Sequence, residues 1–206
     1  MPGESYLAVL DAMVDHANAF DLVLCRQEGG AAYMAAAWGK LTGEPGLCFV
    51  TRGPGATNAT VGIHTAMQDS VPMILFVGQV GTDVMGREAF QEVDYTAFFG
   101  PLAKWAVQID HVDRVPEIIS RAWTVAMSGR PGPVVVALPE DMLVATSDRL
   151  PCNPVAIPEP AVPEAGAAQM AAMLVAAERP LMLVGGTRWT AGSARAVTCA
   201  REERPK

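Results

Sequence analysis

Charged residues are scarce in this chain of 206 residues: they make up 18%, against 50% hydrophobic residues. A disordered chain has the opposite balance, so the composition indicates a globular protein with much to bury. The net charge is −7 and no basic cluster offsets it, which argues against a nucleic-acid-binding surface. There is no apolar run of 18 residues and no charged-then-apolar leader, so we expect neither a membrane span nor a signal peptide.

Cysteine and histidine are also few and scattered. The four cysteines form no CxxC pair, and the three histidines form no pair at the spacing of metal ligands. Cys25 and Cys48 fall in apolar runs, where a buried, reduced thiol is the expected state. We therefore expect no metal site in these residues and a reducing, cytoplasmic location.

Short apolar runs alternate with helical patterns through the first two thirds of the chain. Continuous apolar strands with helical crossovers predict an α/β fold with an open parallel sheet and helices on both faces. A glycine-containing loop is expected over residues 80–94. The predicted strands are residues 21–25, 47–51, 73–77, 105–109 and 134–138, and the predicted helices are residues 5–17, 28–41, 54–68 and 112–127.

The composition changes after residue 138. Residues 139–163 hold prolines at intervals and no periodic pattern, which is typical of an extended linker. A helix over 164–177 and a strand over 181–185 follow and indicate the start of a second domain. We expect three segments: a ligand-binding domain (1–138), a proline-rich linker (139–163) and an incomplete second domain (164–206).

Two motifs stand where predicted strands end. One places Glu28 at the start of a helix, and the other is Gly53-Pro54-Gly55 with Asn58 behind it. Ligands of open parallel sheets bind beyond the carboxyl ends of strands, near helix N-termini. Glu28 would offer an acid to a ring nitrogen, and the glycines would let backbone approach the flat side of the ring. The loop is not a phosphate cradle by motif, because Asn58 replaces a third glycine and the Walker lysine is missing.

Both motifs also have a simpler interpretation. A glutamate in the first turn of a helix is commonly a favourable partner of the helix dipole and nothing more. The sequence Gly53-Pro54-Gly55 is more often only a tight turn. The flanking residues Val23, Leu24 and Ala31 favour instead an apolar pocket, in which Glu28 shares a proton with a ligand nitrogen.

A longer series of motifs resembles one family. Residues 2 to about 140 resemble the pyrimidine-binding, N-terminal domain of thiamine-diphosphate enzymes of the acetolactate-synthase type, which is flavodoxin-like. Residues 180–190 resemble the start of that family's central domain. The motifs that carry the resemblance are Pro2-Gly3-Glu4 and the segments 26–32, 39–43, 51–58, 66–72, 78–80, 89–94, 104–105 and 129–134.

The resemblance implies roles for individual residues. Glu28 matches the catalytic glutamate that hydrogen-bonds N1′ of the aminopyrimidine of thiamine diphosphate, a cofactor that serves as electron sink for decarboxylation of 2-keto acids. Without the resemblance, Phe90 would be assigned to core packing and Gln91 to a solvated loop amide. The other implied positions are Gly53, Pro54, Gly55 and Asn58 beside the pyrimidine, and Pro2, Gly3, Phe90 and Gln91 on the substrate side.

The sequence also departs from the family. It contains no Gly-Asp-Gly motif, so diphosphate and magnesium are expected only through a missing domain. The family has a strand before Pro2, so we expect a sheet that lacks its first strand. Gly100 stands where flavin-binding members often carry arginine, which makes FAD doubtful.

Three functions remain open at this point. The chain is part of a 2-keto-acid carbon–carbon lyase or ligase, a transferase or lyase that self-associates or pairs with a complementary diphosphate-binding domain. Alternatively, it is a truncated, catalytically inactive fragment that acts only in association or ligand binding. The third possibility is a plain small-ligand-binding module of flavodoxin-like architecture.

Overall fold

The structure is a computed structural model that describes residues 3–152, 155–158, 161–186 and 189–202. Contacts divide the chain into two compact units, residues 1–156 and 157–206. In the first unit, short 3-10 turns at Glu4–Tyr6 and Val112–Arg114 lead into helices. Its other elements are α1 (Leu7–Asp15), α2 (Glu28–Thr42), β1 (Gly46–Val50), α3 (Pro54–Asp69), β2 (Met73–Gln79), α4 (Tyr95–Phe99), β3 (Trp105–Gln108), α5 (Val115–Met127), β4 (Pro133–Pro139) and α6 (Glu140–Val144).

The four strands form one parallel sheet in the order β1–β2–β4–β3. Every residue of β2 and of β4 is buried. Successive side chains of a strand point to opposite faces, so Leu75 and Val77 contribute to one core while Ile74 and Phe76 contribute to another. A strand buried on both faces has a continuous apolar sequence, and the predicted α/β fold with a covered parallel sheet is confirmed.

The first core lies between the sheet and helices α2, α3 and α4, and the second between the sheet and α5. Small residues let α2 and α3 approach each other closely, since a Cβ added at Gly62 would overlap with Ala32. This packing brings the N-terminal turns of α2 and α3 side by side. It therefore places the two motifs, at Glu28 and at Gly53–Asn58, at the same edge of the sheet.

Two of the predicted strands are wrong within the part of the chain that the structure describes. Residues 21–25 lie in no regular element, and Leu22, Val23 and Leu24 are 50–68% exposed. Residues 181–185 are likewise irregular and exposed. An apolar run becomes a strand only where a neighbouring strand pairs with its backbone, and no described strand lies beside either run.

Most other predicted elements agree with the structure to within one to three residues. Gly43 ends α2 in a left-handed conformation, with φ of +77°, as a C-cap glycine should. Helix α6 lies inside the segment assigned to the proline-rich linker, so this segment is not wholly extended. The second unit contains α7 (Glu164–Ala176) and α8 (Ala191–Glu202). No helix in the described ranges is long and apolar enough to cross a membrane.

Candidate functional site

Glu28 is a buried carboxylate at the start of α2, with the residue only 6% exposed. The helix begins here because the side chain of Gln27 caps it, accepting a hydrogen bond from the backbone N–H of Gly30 at 2.7 Å. Asn58 Nδ2 donates to Glu28 Oε2 at 3.1 Å. The other oxygen, Oε1, accepts no hydrogen bond from any residue that the structure describes. Glu28 therefore has one oriented oxygen and one open oxygen.

The residues around Glu28 differ from those predicted. Val23 and Leu24 are 63% and 68% exposed, so they do not enclose the carboxylate. Tyr6 and Cys48 lie close enough to respond to its charge. Burial chiefly, and the Glu28 carboxylate to a smaller extent, raise the pKa of each of these two groups to about 12. Sequence reasoning missed both residues because each comes from a different element, and no local pattern links them to Glu28.

The turn at Gly53 requires glycine. Its backbone has φ of +49° and ψ of −104°, a conformation that side chains disfavour. A Cβ at Gly53 would lie 2.8 Å from Gln91 Cβ and 3.0 Å from the Gln91 carbonyl oxygen. The backbone N–H of Gly53 donates to the buried Tyr95 hydroxyl at 2.7 Å. Pro54 then opens α3, as predicted, and the motif does form a tight turn, which is compatible with both interpretations given above.

The loop over residues 80–94 lies against this turn. Phe90 is 71% exposed, so its assignment to core packing is wrong. Gln91 is partly buried and has φ of +61°, with its Cα, Cβ and carbonyl oxygen against Gly53. The Glu92 carboxylate accepts hydrogen bonds from the backbone N–H groups of Gly86 at 2.6 Å and Ala89 at 3.0 Å. These bonds lower the pKa of Glu92 from its usual value.

Arg52 is a buried cation at this edge that sequence reasoning missed. Its guanidinium forms ion pairs with Glu4 at 2.7 Å and Glu140 at 2.6 Å, and its Nε donates to the Phe90 carbonyl at 3.0 Å. The three partners lie 38 to 88 residues away along the chain. The local sequence around Arg52 therefore did not indicate these partners.

Gly3 also reaches this edge, since a Cβ at Gly3 would overlap with Thr51 at the end of β1. Pro2, predicted with Gly3 on the substrate side, lies outside the described residues. The structure thus brings Glu28 to Asn58, Gly53 to Gln91 and Gly3 to Thr51. Phe90 contacts Arg52, with the guanidinium carbon 5.8 Å from the ring centroid. Among described residues it makes no hydrogen bond or ring contact with Glu28.

The chemistry of this arrangement fits a nitrogen-containing ring. A buried carboxylate with an open oxygen can accept a hydrogen bond from a ring N–H or, when protonated, donate one to a ring nitrogen. The described residues contain no group of three or more histidine, cysteine or acidic side chains that could hold a metal ion. Glu28 is the candidate reactive group.

Comparison with known proteins confirms the resemblance to thiamine-diphosphate enzymes. Residues 1–98 match the family model of the thiamine pyrophosphate enzyme, N-terminal TPP binding domain. The chain is 38% identical to the acetolactate synthase isozyme 2 large subunit of Escherichia coli over 201 residues, which cover 98% of this chain and 36% of that protein. It is 40% identical to the mitochondrial acetolactate synthase catalytic subunit of Saccharomyces cerevisiae over 159 residues, which cover 74% of this chain and 23% of that protein. It is 37% identical to a probable acetolactate synthase large subunit of Methanococcus aeolicus, over 90% of this chain and 32% of the relative.

These matches run through the motifs that form the site, from Gly3 through Glu28 and Gly53 to Gln91. The chain spans about a third or less of the length of these relatives. The N-terminal part of the chain belongs to the thiamine-pyrophosphate enzyme family, as an N-terminal domain similar to that of acetolactate synthases.

Proposed function

We propose that this chain binds the aminopyrimidine ring of thiamine diphosphate through Glu28, as part of a 2-keto-acid carbon–carbon lyase or ligase similar to acetolactate synthase. The observation that carries the proposal is the buried Glu28 carboxylate, with one oxygen held by Asn58 and the other open. It stands at the position where the resemblance places the acid that contacts N1′.

Each residue has its own task in this proposal. Glu28 Oε1 takes the hydrogen bond to the ring nitrogen, and the Asn58 amide orients the carboxylate by donating to Oε2. Gly53, Pro54 and Gly55 present backbone beside the ring, with Gly53 fixed by the Tyr95 hydroxyl. When bound, thiamine diphosphate supplies an electron sink for decarboxylation of a 2-keto acid. Phe90 and Gln91, with Pro2 and Gly3, form the substrate side.

Other parts of the cofactor lie outside this proposal for the chain itself. Magnesium and the diphosphate are assigned to a complementary domain, from another copy or another part of the protein. Gly100 follows α4 and has no side chain to offer a flavin. We therefore expect the protein to purify without FAD, and a stoichiometric flavin absorbance spectrum would contradict this.

The second candidate is a catalytically inactive module that only associates or binds ligand. The exposed apolar side chains of α2, such as Trp38 at 55% and Leu41 at 86%, favour it. Carbon dioxide release from pyruvate, measured with thiamine diphosphate and magnesium before and after a diphosphate-binding chain is added, separates the two. We expect no steady release from the 206 residues alone, because positioning fails when half of a cofactor is unheld. Release that appears on adding a diphosphate-binding chain would support the enzyme and exclude the inactive module.

Ring binding itself is tested by nuclear magnetic resonance on the isotope-labelled chain. Thiamine diphosphate should shift the backbone signals of Gly29, Gly53 and Asn58. Inorganic diphosphate, which lacks the ring, is the control and should not shift them. Equal shifts with both ligands, or shifts confined to other parts of the chain, would contradict the proposal.

A further inference from the structure

Arg52 lies at the carboxyl end of β1, directly before the Gly53 turn, and its side chain is only 10% exposed. A guanidinium at such a position is costly unless its donors are paired. Each of its three nitrogens has a partner: Nη1 binds Glu140, Nη2 binds Glu4, and Nε donates to the Phe90 carbonyl. The two carboxylates fix the guanidinium, and the fixed guanidinium in turn holds a backbone carbonyl of the loop.

The loop that Arg52 holds has an unfavourable backbone. Gln91 and Glu88 have φ of +61° and +53°, which residues with a side chain rarely adopt. Such conformations persist only where the surroundings fix them, and they concentrate at functional sites. The carbonyl that Arg52 binds belongs to Phe90, the residue directly before Gln91. Gly53 packs against Gln91 from the other side. Because Gly53 has no side chain, it leaves room for the backbone of Gln91.

The same guanidinium faces the Phe90 ring, with 5.8 Å between the guanidinium carbon and the ring centroid. This distance is within the range of cation–π attraction. It gives an otherwise exposed aromatic side chain a preferred direction. Arg52 therefore contacts both the backbone and the ring of Phe90.

We propose that Arg52 is a positioning residue for the substrate side of the site. It holds Phe90 and Gln91 beside the Gly53 turn, with Glu4 and Glu140 as its anchors. The inference rests on the proposed function, since the loop faces substrate only if Glu28 binds the cofactor ring. A lysine cannot replace Arg52, because an ammonium is a point charge without the planar fork that serves separate acceptors at once.

The test is amide hydrogen exchange on the whole 206-residue chain, read separately for residues 86–93 and for strand β2. The variants are Arg52→Met, which keeps the apolar stem, and Arg52→Lys, which keeps the charge. The matched control is Arg130→Met. Arg130 also joins distant segments, donating to Ser70 Oγ and to the Met67 and Gln68 carbonyls, but at a place away from the loop.

We expect exchange of residues 86–93 to accelerate by about tenfold or more in Arg52→Met, the effect of losing hydrogen bonds to a charged group. Arg52→Lys should restore little of the protection, and β2 should change far less than the loop. Arg130→Met should leave the loop as it is. An unchanged loop in Arg52→Met would overturn the proposal, as would an equal acceleration in β2, which would show that Arg52 only stabilises the fold.

Titration of the wild-type chain with thiamine diphosphate distinguishes failure of the inference about Arg52 from failure of the proposed function. If the loop loosens as expected but no ring binds at Glu28, the proposed function fails while the hold of Arg52 on the loop stands. If the ring binds and the loop does not respond to Arg52→Met, the inference about Arg52 fails alone.

Discussion

Glu28 and Arg52 are both buried charged residues at one edge of the sheet, but their hydrogen bonding differs. The three guanidinium nitrogens of Arg52 all have partners, so this side chain is committed to holding other segments. Glu28 receives one hydrogen bond, from Asn58, and keeps an oxygen open within the described structure. No described side-chain oxygen is both buried and unpaired, so this free oxygen remains accessible and can accept a hydrogen bond from a ligand. This difference is the physical reason to assign ligand binding to Glu28 and positioning to Arg52.

Replacement of Gly53 tests how closely the loop fits the turn. Gly53→Ala should lower the free energy of unfolding by about 1–3 kcal/mol, because its backbone conformation disfavours a side chain and the new Cβ would collide with Gln91. Gly43→Ala is the control, since Gly43 also has a positive φ but has open space around it. Urea unfolding of both variants measures the difference. An equal loss in the two would show that the contact with Gln91 contributes nothing.

The thiol of Cys48 should be chemically inert in the folded protein. Burial raises the pKa of Cys48 to about 12 and leaves almost no reactive thiolate at neutral pH. Cys152 is exposed and serves as the internal control. Iodoacetamide followed by mass spectrometry should find label on Cys152 and none on Cys48 until urea unfolds the chain. Native labelling of both at similar rates would contradict the burial of Cys48.

The elements of this fold were predictable where periodicity and burial agree. The continuous apolar runs that became β2 and β4 are buried on both faces, and a pattern of that kind has few alternatives. Residues 21–25 have the same local composition but remain outside the sheet, because strand formation depends on a neighbour that the run itself does not specify. The Gly53 motif was found from the end of β1, whereas Glu28 was found from the helix start that follows residues 21–25, although that run is not a strand. The partners of Arg52 were not, because three separate segments supply them.

The loop over residues 80–94 should loosen in acid. The pKa of Glu92 is lowered by hydrogen bonds from the backbone amides of Gly86 and Ala89. The pKa of Glu92 in the unfolded chain, near the ordinary value of 4.5, is therefore higher than its pKa in the folded chain. The stabilising contribution is present above that value and is lost as pH falls through the lower, folded pKa.

Nuclear magnetic resonance can follow this change through the amide signals of Gly86 and Ala89 during acidification. We expect both signals to move together as Glu92 gains its proton. Glu92→Gln should show the loosened loop already at neutral pH and should lose this titration. Signals that stay constant into acid while the fold persists would refute the role given to Glu92.

At the scale of the whole molecule, the first unit has large apolar side chains that are exposed rather than packed in its core. Met34, Trp38 and Leu41 are spaced to lie along one side of α2 and are 52%, 55% and 86% exposed. Exposed apolar patches of this kind commonly mark interaction sites.

We therefore expect the purified chain to self-associate as its concentration rises. Trp38→Glu and Leu41→Glu should shift it towards monomer, because a charge at an apolar contact is costly to bury. Trp123→Glu, on the partly exposed Trp123 of α5, is the control and should leave association unchanged. Size-exclusion chromatography with light scattering measures the mass. A wild-type chain that stays monomeric throughout would contradict the expectation.

The most direct measurement is hydrogen–deuterium exchange at C2 of thiamine diphosphate, with this chain in place in the complete enzyme. If Glu28 shares a proton with the aminopyrimidine, Glu28→Gln should slow this exchange ~10²–10⁴-fold, the usual cost of losing one proton-transfer role. The control Glu44→Gln changes an exposed glutamate and should leave the rate unaltered. Equal rates in wild type and Glu28→Gln would contradict the account and leave Glu28 as a partner of the helix dipole.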